Sequence, residues 1–156
     1  MLHEKVETIA ANQTKLNLYM MPNEKVMSRP AGLPILPLKN SSELQVMENY
    51  LKKNDDNVFN TSIYLSNYVF REPNKEKRFA MRLMKHIFNN TLGAQFNFKG
   101  QGEKRGFEAL TLWQVLKGAA ALKLESSDLH QFEAGVKSWL KDVPWRDQQQ
   151  SLKNRN

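Results

Sequence analysis

Four of the six prolines in this 156-residue chain fall within one stretch, at Pro22, Pro30, Pro34 and Pro37, with Gly32 among them. Each proline removes a backbone donor and fixes φ, and each pushes the residue before it toward extended geometry. No helix or central strand can cross that stretch, so the chain divides there. Residues 1–21 read as a dimerising heptad helix, 22–39 as a Pro-rich linker, 40–142 as a helical domain and 143–156 as a disordered tail. Leu33-Pro-Ile-Leu-Pro-Leu38 is expected to end the linker by packing apolar side chains onto the domain.

Ahead of the prolines, Leu2, Val6, Ile9, Gln13, Leu16 and Met20 recur at steps of four and three, the seam of a coiled coil with Gln13 as its polar position. Two arrangements fit: part of a longer dimerising helix, or a terminal helix docked on its own domain. Homodimerisation is the expectation carried forward. Past the prolines, Asn40-Ser-Ser-Glu43 has capping-box spacing, followed by Leu44, Met47, Tyr50 and Leu51 on one helix face. Asn54 to Asn57 reads as a turn. Val58, Phe59, Ser62, Ile63, Leu65, Tyr68 and Val69 are dense enough to predict a central second helix.

Pro73 suits the first turn of a third helix that buries Phe79, Ala80, Leu83, Met84, Ile87 and Phe88. Asn89 and Asn90 stop it, and Leu92 and Phe96 or Phe98 read as short anchors. Leu110, Leu112, Trp113, Val115 and Leu116 form a fourth helix ending near Gly118. Ser126, Ser127 and Asp128 cap a last helix with Leu129, Phe132, Val136, Trp139 and Leu140 inward. No segment sustains period-two alternation. The expected fold is all-α, a compact bundle of about five helices.

The charge is distributed unevenly. From Arg71 to Gly106 there are nine cations and three acids, and nearly all of the +7 net charge belongs to that stretch. A focused cationic field suits a polyanion, because each neutralised phosphate releases counterions. Gly100, Gly102 and Gly106 are expected to make the basic loop Lys99-Gly-Gln-Gly-Glu-Lys-Arg-Gly106 compliant, with close backbone approach to a ligand. The loop is neither a dinucleotide fingerprint, its third glycine being misplaced, nor a P-loop, since Arg follows Lys104.

Other chemistries find little footing. The chain has no cysteine, and His3, His86 and His130 are scattered without carboxylates at ligand spacing. Ser41, Ser42, Ser126 and Ser127 read as caps. The expectation is a non-enzyme with neither cofactor nor metal. Trp113, beside the basic loop, is the one tryptophan kept as a base-stacking candidate. The amino terminus lacks the apolar core of a signal peptide and no apolar run approaches a membrane span, so a soluble intracellular protein is expected.

Three stretches together, Phe79–Leu92, Phe98–Arg105 and Leu110–Val115, resemble BEN domains, small all-α modules of metazoan chromatin and transcription proteins. Leu36-Pro-Leu-Lys39 before a capped helix, and the preceding heptads, look even more like a related domain of unknown function frequent in arthropod proteins. That resemblance implies nuclear, sequence-preferring DNA binding in transcriptional regulation. By position it implies a base-reading face of Thr111, Gln114 and Lys117, with Lys99, Lys104 and Arg105 on phosphates or in a minor groove. The fourth helix carries a single cation, and Glu108 would face the anion nearby.

Phosphate contacts from Arg78, Arg82, Lys85, Lys99, Lys104 and Arg105 would then supply affinity. The alternative function is an interaction adaptor that homodimerises or recruits chromatin or transcription proteins without binding DNA. That reading requires exposed apolar surface on Leu33 to Leu38 and on Phe132 and Trp139 of the last helix.

Overall fold

A computed structural model describes residues 29–68 and 75–155. The heptad positions Leu2, Val6, Ile9, Gln13, Leu16 and Met20 and the helix start at Pro73 lie outside the described residues, as do Pro22, Val69 and Arg71. The fold is all-α: six α-helices, with one two-stranded pairing among the described residues.

Helix α1, Ser41–Lys53, begins where its cap predicts. The Glu43 N–H donates to Asn40 Oδ1 at 2.9 Å, and the Glu43 carboxylate accepts from the Lys39 N–H at 2.8 Å, one residue further back than a capping box requires. Only Asn54 separates α1 from α2, Asp55–Ser66. Its side chain accepts from the Asn57 N–H at 2.8 Å, so the expected four-residue turn is instead a cap and the first turn of a helix.

Helix α2 buries Ile63 and Leu65 as its composition suggested, but its inner face is less apolar than expected. Its buried residues include Thr61, Ser62 and Ser66, whereas Phe59 is exposed. The hydroxyls are satisfied by carbonyls: Thr61 donates to Asn57 at 2.6 Å and Ser62 to Val58 at 2.9 Å. These small side chains permit close approach. A Cβ on Gly118 would stand 2.8 Å from Ser62 Oγ.

Helix α3, Glu76–Ile87, buries Phe79, Ala80, Leu83, Met84 and Ile87 as the periodicity predicts. The proline-rich stretch runs along its end: Leu38 N–H donates to the Ile87 carbonyl at 2.8 Å, and Asn89 N–H to the Leu38 carbonyl at 3.0 Å. Leu33 and Leu38 are buried, and the Leu36–Pro37 peptide is cis. Asn89 does more than stop α3. Its side chain accepts from Leu92 N–H at 2.8 Å and starts the single-turn helix α4, Asn90–Gly93.

Strands β1, Phe96–Asn97, and β2, Arg105–Gly106, pair in parallel, and a 3₁₀ turn at Phe107–Ala109 leads to α5, Thr111–Ala121. This helix passes its expected end at Gly118. Ser126–Asp128 form a second 3₁₀ turn and make no side-chain cap to the helix after it.

The last helix, α6, spans Leu129–Asn154 with Pro144 inside it, so the expected disordered tail from residue 143 is helical to Asn154. Pro144 cannot donate to the carbonyl four residues back. Arg146 reaches back to donate to the neighbouring Trp139 carbonyl at 2.8 Å. Thr91 donates to Asp147 at 3.0 Å and Asn90 to Gln150 at 3.1 Å, tying the extension to α4.

Helices α3 and α6 meet at Gly135. A Cβ there would lie 2.6 Å from the Lys77 carbonyl oxygen and 2.7 Å from Ala80 Cβ. Backbone cannot yield as a side-chain tip can. Gly135→Val should therefore lower the unfolding free energy by about 1–3 kcal/mol, the usual range for overpacking. Denaturant unfolding followed by circular dichroism checks it, and an unchanged midpoint would show that this approach is looser than it looks.

Candidate nucleic-acid interface

The basic loop is closed by its own residues. Asn97 Oδ1 accepts from the Gly100 and Gln101 N–H groups, the second at 2.9 Å, while Asn97 Nδ2 donates to the Gln101 carbonyl at 2.8 Å. Gly100 and Gly102 take positive φ, +80° and +67°. A Cβ on Gly100 would sit 3.0 Å from the Gly106 backbone nitrogen. Gly100 and Gly106 thus bring the two ends of the loop together, while a Cβ on Gly102 would meet open space. The loop is preorganised.

Beneath it lies an aromatic cluster. Phe88 packs against Phe96 and Phe107, with centroids 5.5 and 5.6 Å away, and Trp113 against Phe98 at 5.3 Å and Phe132 at 6.5 Å. Trp113 is only 3% exposed. It is a core residue and offers no stacking platform for a base.

Cations sit on the rim of this cluster. The Arg105 guanidinium lies 4.9 Å from the Phe96 ring centre, with Nη1 3.4 Å from Ser41 Oγ. Lys99 Nζ is 5.7 Å from the Phe98 ring and pairs with Glu108 at 3.1 Å. Lys117 Nζ stands 5.7 Å from the Trp113 ring. Such placements hold long side chains against apolar faces while their charges stay in water.

The sequence reading missed two further cations, Lys137 and Lys141 of α6. Lys137 Nζ lies 4.8 Å from the Phe98 ring and 3.2 Å from Glu133. Lys137 and Lys141, one helical turn apart, share the wall of a shallow groove of about 610 Å³ whose other side carries Lys104. Their spacing in sequence gave no signal, because Glu133 and Asp142 balance them along the chain. Only the fold puts them opposite Lys104.

Two of the three residues of the predicted base-reading face are exposed. Gln114 and Lys117 are exposed, but Thr111 is partly buried and its N–H donates to Glu48. Glu48, 5% exposed on α1, accepts from the Thr111 and Leu112 N–H groups at 2.8 and 2.9 Å. It thereby caps α5 from another helix and fixes where Gln114 and Lys117 point, a role carried by no local motif.

On α3, Arg78, Arg82 and Lys85 lie on the outer side, with Arg82 6.0 Å from the Phe79 ring. The loop contacts described above run to α1, α5 and α6 and do not reach them. His86 on α3 stacks against Tyr68 at 4.1 Å, and burial lowers its pKa below the ordinary 6.5, so it adds no charge near neutral pH. No group of three or more histidine, cysteine, aspartate or glutamate side chains capable of holding a metal occurs among the described residues.

No protein-family model, curated protein or solved structure matches the chain.

Glu48→Ala removes two hydrogen bonds to a charged acceptor at a buried helix start. It should cost about 2–4 kcal/mol of stability, given roughly 1–3 kcal/mol for each group left unsatisfied. A thermal melt within a degree of the native chain would exclude this capping role.

Proposed function

We propose that this chain is a non-enzymatic DNA-binding module acting in chromatin or transcriptional regulation. The observation that carries the reading is the set of cations around one preorganised loop. Lys99, Lys104 and Arg105 are joined there by Lys117 of α5 and by Lys137 and Lys141 of α6. Such an edge supplies phosphate contacts without ordering a floppy segment on binding. Arg78, Arg82 and Lys85 of α3 extend the positive field, and Gln114 and Lys117 are the side chains placed for base discrimination.

The BEN-like resemblance points the same way, toward a nuclear module. The adaptor reading needs apolar surface that is partly inside: Leu33, Leu38, Phe132 and Trp139 are at most 6% exposed, whereas Leu36 is half-buried and Ile35 and Pro37 are exposed. Homodimerisation through Leu2, Val6, Ile9, Gln13, Leu16 and Met20 belongs to the same proposal and predicts paired half-sites on the DNA.

Fluorescence anisotropy with random and selected duplexes, titrated with salt, tests this. The native chain should bind with log K falling linearly in log salt. Lys104→Glu combined with Arg105→Glu should weaken binding at least tenfold at low salt, with an unchanged circular-dichroism spectrum as the check on folding. Absence of binding by the native chain at low salt would overturn the nucleic-acid reading.

A further inference from the structure

The groove between the loop and α6 combines apolar lining residues with charged walls. Phe98 and Leu140, which line it, are 6% and 2% exposed. Lys104 rises from the loop side, and Lys137 and Lys141 from α6. Lys137 is held in place by the Phe98 ring and by Glu133 at 3.2 Å. Lys104 and Lys141 have no acidic partner within 4.0 Å among the described residues, and Glu103 lines the same groove as an opposing charge.

The charged donors lining the groove are of one kind, with the exposed Gln101 amide beside them. Three ammonium groups are point charges without the planar fork that reads guanine or a bidentate phosphate. The Asn97 amide, which could have read adenine, is engaged by the Gly100 and Gln101 backbone. An apolar lining between separated ammonium groups fits a strand whose sugars are apolar on one face and whose phosphates alternate with them.

We infer that this groove seats the sugar–phosphate backbone of duplex DNA independently of sequence. It does so with Lys104 on one side and Lys137 and Lys141 on the other, an inference that rests on the DNA-binding reading above. The α6 wall, not the Arg78–Arg82 face of α3, then forms the second row of phosphate contacts beside the loop. Base discrimination is left to the exposed side chains of α5.

The test compares two neutralising pairs in the full chain, Lys104→Gln with Lys141→Gln and Arg78→Gln with Arg82→Gln. All four side chains can be neutralised without opening the core. The probe is a short fluorescein-labelled duplex of random sequence, and the readout is the slope of log K against log salt. The groove pair should reduce that slope by about 1.8, at roughly 0.9 for each phosphate that is no longer neutralised. The α3 pair, which extends the positive field without seating a phosphate in the groove, should lower affinity with a clearly smaller reduction in slope. A reduced slope confined to the α3 pair would overturn the groove while leaving DNA binding intact, and so would equal reductions from both pairs, which report a diffuse field. No binding of the duplex by the native chain would instead remove the reading beneath the inference.

Discussion

The close approach of α3 and α6 at Gly135 is the contact on which the rest of the architecture depends. With a hydrogen in place of a side chain, the Lys77 backbone and Ala80 come against α6 directly. The helix is then placed so that Phe132 stacks on Trp113 with ring planes 12° apart, and so that Trp139 lies over Gly93, where a Cβ would be only 2.7 Å away. From that position α6 carries Lys137 and Lys141 to the edge of the basic loop. Helix packing at this distance accounts for both the core and the charge arrangement outside it.

A second constraint comes from buried polarity. Glu48 would be costly to bury alone, but two unpaired N–H groups at the start of α5 offer it charge-assisted partners, and the helix dipole favours a negative charge there. The exchange locks α1 to α5. It also separates the roles of neighbouring residues: Thr111 contributes its backbone to the core, while Gln114 and Lys117, farther along the helix, remain in solvent.

Local rules made much of this legible. Asn40 capped α1, the three-four spacing from Phe79 to Ile87 gave the buried face of α3, and the inward face of α6 followed from Phe132, Val136, Trp139 and Leu140. The readings that failed depended on partners distant in sequence. Pro144 signalled a break, yet Arg146, Thr91 and Asn90 supply bonds that hold the helix beyond it. The apolar density of α2 was met only in part, by Ile63 and Leu65, beside close packing through Ser62 against Gly118. The site was half legible. The loop cations were conspicuous in sequence, whereas Lys137 and Lys141 were masked by neighbouring acids, and the glycines closed the loop on itself.

The central claim is that nucleic acid meets the edge formed by the loop, the start of α5 and the middle of α6. Amide chemical-shift mapping by NMR during titration with a short random duplex addresses it residue by residue. The account predicts shifts concentrated on Asn97–Gly106, Gln114–Lys117 and Lys137–Lys141. Shifts confined to the outer face of α3, or clustered around exposed Ile35 and Val46, would contradict it.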